Sequence, residues 1–278
     1  MKRLLYIIAP LIVLASCKDK ATQQAEEAKE LADRFAPVIN GAWVMTGYMD
    51  DLAKTKSPLA SSEVLKDIVS MEINTADYTG DSLYVSVSFN NHEGGGFMAY
   101  FRPGKNEQSI TTALPDYQNS INSYEIGYEI ANSDTSLILY HYGAGGKLLD
   151  KRSYSKVAPL TTENGEPSAL QRATNKALFA GSYTATDENG KATDVSFAED
   201  GIISGFEGHS TYYVFTDFIA EEEGYRIDEI IFDERTKNQK PFIFEINGDT
   251  TRLFSASENY ERTQLVKGAL KYTLTRKN

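Results

Sequence analysis

From Ser82 to Phe89 the chain alternates, with Leu83, Val85, Val87 and Phe89 on one side and Ser82, Tyr84, Ser86 and Ser88 on the other. That pattern predicts a strand with one buried and one wet face, as antiparallel meanders and barrels have. A first strand opens within 40–49, and further strands are predicted at 71–74, 97–101, 107–114, 123–130, 136–142 and 147–157. After 168 the pattern predicts strands at 184–187, 193–197, 202–206, 211–219, 225–233, 241–246, 251–255 and 269–276. Helical spacing is confined to short stretches. Ala28, Leu31, Ala32 and Phe35 fall at i, i+3, i+4 and i+7, and Glu30 sits four residues before Arg34, which predicts an amphipathic helix over 26–35 stopped by Pro37. One or two helical turns are predicted over 61–68, capped by Ser61 or Ser62, and a capped helix over 168–179.

Turn residues divide the strands: Asp81, Gly94 to Gly96, Pro103-Gly104, Asp134 and Gly143 to Gly146 in the first half, then Asn189-Gly190, Asp200-Gly201 and Asn247-Gly248. The last three dipeptides suit the positive-φ positions of tight hairpins. Residues 158–168, with two prolines, two threonines, Asn164-Gly165 and no apolar pattern, read as a linker. Each side of it holds about eight short sequential strands, the number at which a sheet closes with its interior filled or around one small ligand. The expected fold is therefore mostly β: two consecutive small antiparallel up-and-down β-barrels, each preceded by a short helix. The boundaries are a signal peptide at 1–16, a tether and helix at 17–37, β domains at 38–157 and 169–278, and the linker between them.

The N-terminus fixes a location. Met1-Lys2-Arg3 precedes an apolar run from Leu4 to Leu14 broken by Pro10, the layout of a secretory signal and too short for a permanent span. It ends in Leu14-Ala15-Ser16-Cys17, which resembles the lipobox of bacterial lipoproteins. The resemblance implies cleavage before Cys17, diacylglycerol on its thiol and acylation of the new amine. Cys17 is the only cysteine, so an intramolecular disulfide is excluded. Three acyl chains, at roughly 0.8 kcal/mol per buried methylene, make such attachment essentially permanent. The expected location is the cell envelope, anchored at the outer membrane on its periplasmic or surface face.

The two halves also repeat. A short helix ending in Arg34-Phe35 leads to Gly41-Ala42-Trp43, and one ending in Leu178-Phe179 leads to Gly181-Ser182-Tyr183. The final strands of both halves are basic and contain tyrosine, carrying Arg152 and Arg276. These residues resemble the lipocalin-like, or calycin, domains. In that family a Gly-x-Trp on the first strand plugs one end of the barrel, and a basic side chain from the last strand lies over the ring. The resemblance implies barrel closure by Gly41, Trp43 and Arg152 in the first domain and by Gly181, Tyr183 and Arg276 in the second, with Tyr183 standing where Trp is usual. A cation on such a ring adds roughly 0.5–2 kcal/mol.

Charge and chemistry narrow the function. The formal charge is −11, and removing Lys2 and Arg3 leaves 26 basic against 39 acidic side chains, or −13. An acidic surface without a clustered basic face argues against nucleic acid. Gly-x-Ser-x-Gly elbows and Gly-rich phosphate loops are absent from the sequence. His92, His141 and His209 lie far apart, with no second ligand at metal spacing. Asp187 to Asp194 superficially resembles the start of a calcium loop, but Lys191, Ala192 and Ala198 occupy places that need acid, glycine and glutamate, so it reads as a hairpin turn. No catalytic residue, metal or cofactor is expected. The leading expectation is a non-enzymatic, membrane-anchored protein binding a small hydrophobic or amphipathic ligand in a barrel; the 17 tyrosines read first as ordinary sheet residues, though tyrosine can also line such a cavity. The alternative is a protein-interaction or envelope-sensing module with filled barrels, whose partner is another envelope protein.

Overall fold

A computed structural model describes residues 20–90, 92–132, 134–158, 168–218 and 223–277. Cys17, the signal segment and most of the linker lie outside the described residues. The chain begins with α1 (Lys20–Ile39), β1 (Gly41–Met45), α2 (Thr46–Thr55) and α3 (Pro58–Ser61). Then follow β2 (Ile68–Ile73), β3 (Ser82–Phe89), β4 (Glu93–Pro103), β5 (Ser109–Thr112), β6 (Ser123–Ala131), β7 (Asp134–Tyr142) and β8 (Leu148–Ala158). These eight strands form one closed antiparallel barrel in sequential order, with β1 pairing with both β2 and β8. The alternation of β3 holds, with Leu83, Val85 and Val87 in the barrel core.

After the linker come α4 (Ala169–Leu178), β9 (Gly181–Asp187), β10 (Ala192–Phe197), β11 (Ile203–Ser204), β12 (Tyr212–Val214), β13 (Glu229–Phe232), β14 (Lys240–Asn247), β15 (Thr250–Glu258) and β16 (Leu265–Arg276). They make a second eight-stranded sheet in the order β11-β10-β9-β16-β15-β14-β13-β12. This sheet is not closed, which corrects the expectation of two closed barrels. Among the described residues its outermost strands are joined through backbone by an isolated bridge, Ile202 to Thr211, with the bonds Ile203 N to Ser210 O (2.8 Å) and Tyr212 N to Gly201 O (2.7 Å). The physical reason lies in the segment itself. Gly201, Gly205 and Gly208 take positive φ and curl the chain. The Asp233 carboxylate, which His209 holds at 2.6 Å, accepts the Ser210 and Thr211 amides that a ladder would use.

Several local readings also change. Helix α1 runs through Pro37 to Ile39, because burying Phe35 and Ile39 in the barrel core outweighs the one backbone bond that proline removes. Thr46 to Met49 starts a helix instead of continuing the first strand, with Tyr48 and Leu52 buried one turn apart. The turns expected over 61–68 shrink to one 3-10 turn, Ser62–Val64, with Ser61 at its N-cap position but making no side-chain capping bond; just before it α3 is capped by Ser57, whose hydroxyl accepts Ala60 N at 2.9 Å ahead of Pro58. Gly94 to Gly96 belong to β4 rather than to a turn. A side chain at Gly96 would collide with the Tyr84 ring on β3, so the glycines make room for a cross-strand aromatic.

The two units pack directly on one another. Helix α4 lies against β1, β2, β8 and α2. Ala42, Val44, Tyr48, Leu52 and Val69 of the first unit form one apolar cluster with Ala169, Leu170, Ala173 and the core of the second sheet. The barrel interior is a separate cluster. Carboxylates cross the junction in both directions: Glu72 accepts the first amide of α4 (3.3 Å), and Asp228 accepts Leu59 N in α3 (2.9 Å). The Tyr48 and Thr174 hydroxyls meet at 3.2 Å, and His92 Nδ1 lies 2.8 Å from Asp217.

Candidate functional site: one sealed end and one mouth

Both units are sealed at one end by the same device. Gly41 and Gly181 take φ of 134° and 145°, a region open to glycine, and turn the chain from helix into strand. Two residues on, the Trp43 ring is fully buried with Nε1 donating to Ile39 O at 2.8 Å, and the Tyr183 hydroxyl donates to Phe179 O, also at 2.8 Å. In each case the acceptor is the carbonyl four residues back, at the end of the preceding helix. The Arg276 guanidinium lies 5.0 Å from the Tyr183 ring centre, with Nη2 donating to its hydroxyl (2.7 Å) and Nη1 to Ala180 O (3.0 Å).

Arg152 does not play that part in the first unit. The cation over Trp43 is Lys156, at 5.4 Å, which is also the residue that faces Trp43 across the β1–β8 pair. Arg152 sits four residues earlier on β8, about 13 Å away along an extended strand. There it pairs with Asp67 (2.7 Å) and Asp150 (3.3 Å). In the structure Lys156 stands two residues after the buried Tyr154, as Arg276 stands two after the buried Leu274.

Arg152 instead borders the opposite end, the mouth. The start of β2, the end of β3, the loop between β5 and β6, and residues of β6, β7 and β8 enclose a cavity of about 320 Å³ there. Its floor is the top of the barrel core, Ile68, Leu114 and Leu139, and Phe89 and Tyr124 add aromatic wall. The loop over it is organised by Asp116. One carboxylate oxygen accepts Gln118 N (2.8 Å) and Asn119 N (3.1 Å), and the other meets Asn122 Nδ2 (2.7 Å) and His141 Nε2 (2.9 Å). The His141 ring is stacked on Tyr124, with centres 4.3 Å apart. These bonds hold the Asp116 carboxyl at about 2, the Asn122 side chain contributing most. On the same loop Tyr117 is 90% and Ile121 70% exposed, and Leu148 and Leu149 at the start of β8 are also exposed.

The Asp116 arrangement predicts a pH dependence. The carboxylate is held low in the fold and at its ordinary value of 3.8 in the unfolded chain. It therefore stabilises the loop above pH about 4, and that contribution is lost as pH falls toward 2. The Gln118 and Asn119 amide resonances should titrate together with a midpoint near 2, and Asp116→Asn should abolish that titration. A midpoint at the ordinary aspartate value would contradict the geometry.

A second cavity, of about 440 Å³, lies at the corresponding end of the second sheet among Ala185, Val195, Phe206 and Tyr272. Phe206 packs edge-on against Tyr272 at 5.1 Å and Phe232 at 5.2 Å. The three histidines each meet one aspartate: His92 with Asp217, His141 with Asp116 and His209 with Asp233. Among the described residues no group of three or more His, Cys, Asp or Glu could hold a metal ion. No family model matches the chain. No curated protein is significantly similar to it in sequence. The closed eight-stranded meander with its Gly-x-Trp seal is compatible with a calycin-like fold.

Proposed function

We propose that this chain is a lipid-anchored, non-enzymatic envelope protein that holds a small amphipathic molecule in the mouth of its first barrel. The observation that carries the reading is the mouth cavity of about 320 Å³, with an apolar floor and a polar rim, at the one end of the barrel that the helix and Trp43 leave open. A hydrophobic segment would rest on Ile68, Leu114 and Leu139, and a polar head would meet Arg152, His141 and Gln118. We take the second sheet as a diverged copy of the same barrel. Its equal helix-glycine-ring seal and the bonds across its seam support that reading.

The test of the mouth is native mass spectrometry of protein purified from its own cells. Wild type should retain a small molecule, and Leu139→Trp, which fills the floor, should lose it while keeping the fold. A wild-type chain that is empty and gives no shifts at Leu139 or Tyr124 with a cell lipid extract would sink the proposal. The exposed Tyr117, Ile121, Leu148 and Leu149 favour a second reading, in which they dock an envelope protein. Crosslinking from Tyr117 in intact cells separates the two.

The anchor is tested on its own. Cys17→Ala should leave the protein soluble or unprocessed and unlabelled by palmitate. A variant that still partitions with membranes and takes up label would end the anchoring argument.

A further inference from the structure

The first unit supplies an internal comparison for the second. Ile39 and Phe179, Gly41 and Gly181, and Trp43 and Tyr183 are each 140 positions apart. At the same offset Leu31 and Phe35, whose side chains enter the barrel core, are replaced by Gln171 and Asn175. Burial is conserved while polarity is reversed: Leu31 and Phe35 are 7% and 0% exposed, Gln171 and Asn175 6% and 0%. The first unit shows that sealing this end does not require amides, and burying two of them carries a desolvation cost. They answer part of it themselves, with Gln171 Nε2 donating to Asn175 Oδ1 (2.8 Å) and Asn175 Nδ2 to Glu199 O (3.2 Å).

These amides border a cavity of about 330 Å³ between α4 and the seam of the second sheet. Thr216, Tyr213, Asp200 and Glu234 supply more of its wall, and among the described residues no lysine or arginine lines it. Glu234 pairs with Arg235 at 3.5 Å, a side chain that does not line the cavity, and Asp200 adds a second carboxylate, so the wall disfavours an anionic ligand, and amide and hydroxyl groups make a poor surface for an alkyl chain. Carboxylates accept hydroxyl protons, amides both donate and accept, and tyrosine offers an apolar ring with a polar tip. We infer that this cavity is a binding site for a neutral polyhydroxylated ligand of the saccharide class, separate from the mouth of the first barrel.

The experiment uses the full mature chain made soluble by Cys17→Ala, titrated with glucose, galactose, N-acetylglucosamine and cellobiose and followed by amide NMR. At least one sugar should shift the amides of Gln171, Asn175, Gly201 and Tyr213 and leave those of Tyr124 and His141 unmoved. The double variant Gln171→Leu/Asn175→Phe, which copies the first unit, should keep or raise the melting temperature and weaken binding at least tenfold. Should it fail to fold, Glu234→Ala at the cavity wall should still weaken binding at least threefold. The inference is overturned if none of the four sugars shifts these amides, if the folded double variant or Glu234→Ala binds like wild type, or if calcium shifts the same amides where the sugars do not.

Discussion

Trp43→Ala should destabilise the first unit by about 3–5 kcal/mol, the range for deleting a large buried aromatic. The ring has no exposed surface, and its Nε1 holds Ile39 O at the end of α1. Its loss leaves a cavity at the sealed end and frees the helix that plugs it. Urea unfolding of the Cys17→Ala chain, followed by tyrosine fluorescence and circular dichroism, measures the loss. Trp43→Phe should recover most of the packing but not the indole hydrogen bond, and so fall between the two. A Trp43→Ala chain within 1 kcal/mol of wild type, well under the cost of such a cavity, would mean that the ring is not what closes the barrel. Lys156→Ala should cost far less, since an exposed cation over a ring contributes only about 0.5–1 kcal/mol.

Leu170→Asp should separate the units. Leu170 is nearly fully buried where α4 meets the outer face of the first barrel, and an unpaired charge there has neither partner nor water. Penalties of this kind reach about 3–5 kcal/mol. The wild-type chain should melt in one calorimetric transition, because the core of the second sheet continues into Ala42, Val44, Tyr48 and Leu52. In the variant the barrel should melt near its original temperature and the second sheet well below it. Two transitions already present in wild type would show that the junction carries little stability.

What the sequence made legible and what it hid follow from the range of each interaction. Alternation in 82–89, the Asn189-Gly190 and Asn247-Gly248 turns and the Ser168 cap are local, and each stands where its residues put it. The ring seal was also readable, because glycine, ring and helix end lie within a few residues of one another. Its cation was not, since choosing Lys156 over Arg152 depends on the register between β1 and β8, strands more than a hundred residues apart. The mouth escaped for the same reason: Asp116, His141 and Arg152 come from three separated stretches, and only closure of the sheet brings them together. Helix α2 was hidden because Tyr48 and Leu52 are a short apolar pair whose partner, α4, lies beyond the linker.

The face that α4 turns to its neighbour also limits copy number. Shifted back by 140 positions, Ala169, Leu170 and Ala173 become Lys29, Glu30 and Asp33, all exposed, with Lys29 and Asp33 paired at 2.6 Å. Shifted forward, the receiving residues Ala42 and Val44 become Ser182 and Thr184. Among the described residues the stacking surface therefore occurs once, between the two units, and both outward counterparts are hydrophilic. Neither outward face offers an apolar surface for a further unit to stack on, so the molecule gains the stability of a stacked pair without sticky ends that would let it grow into a filament.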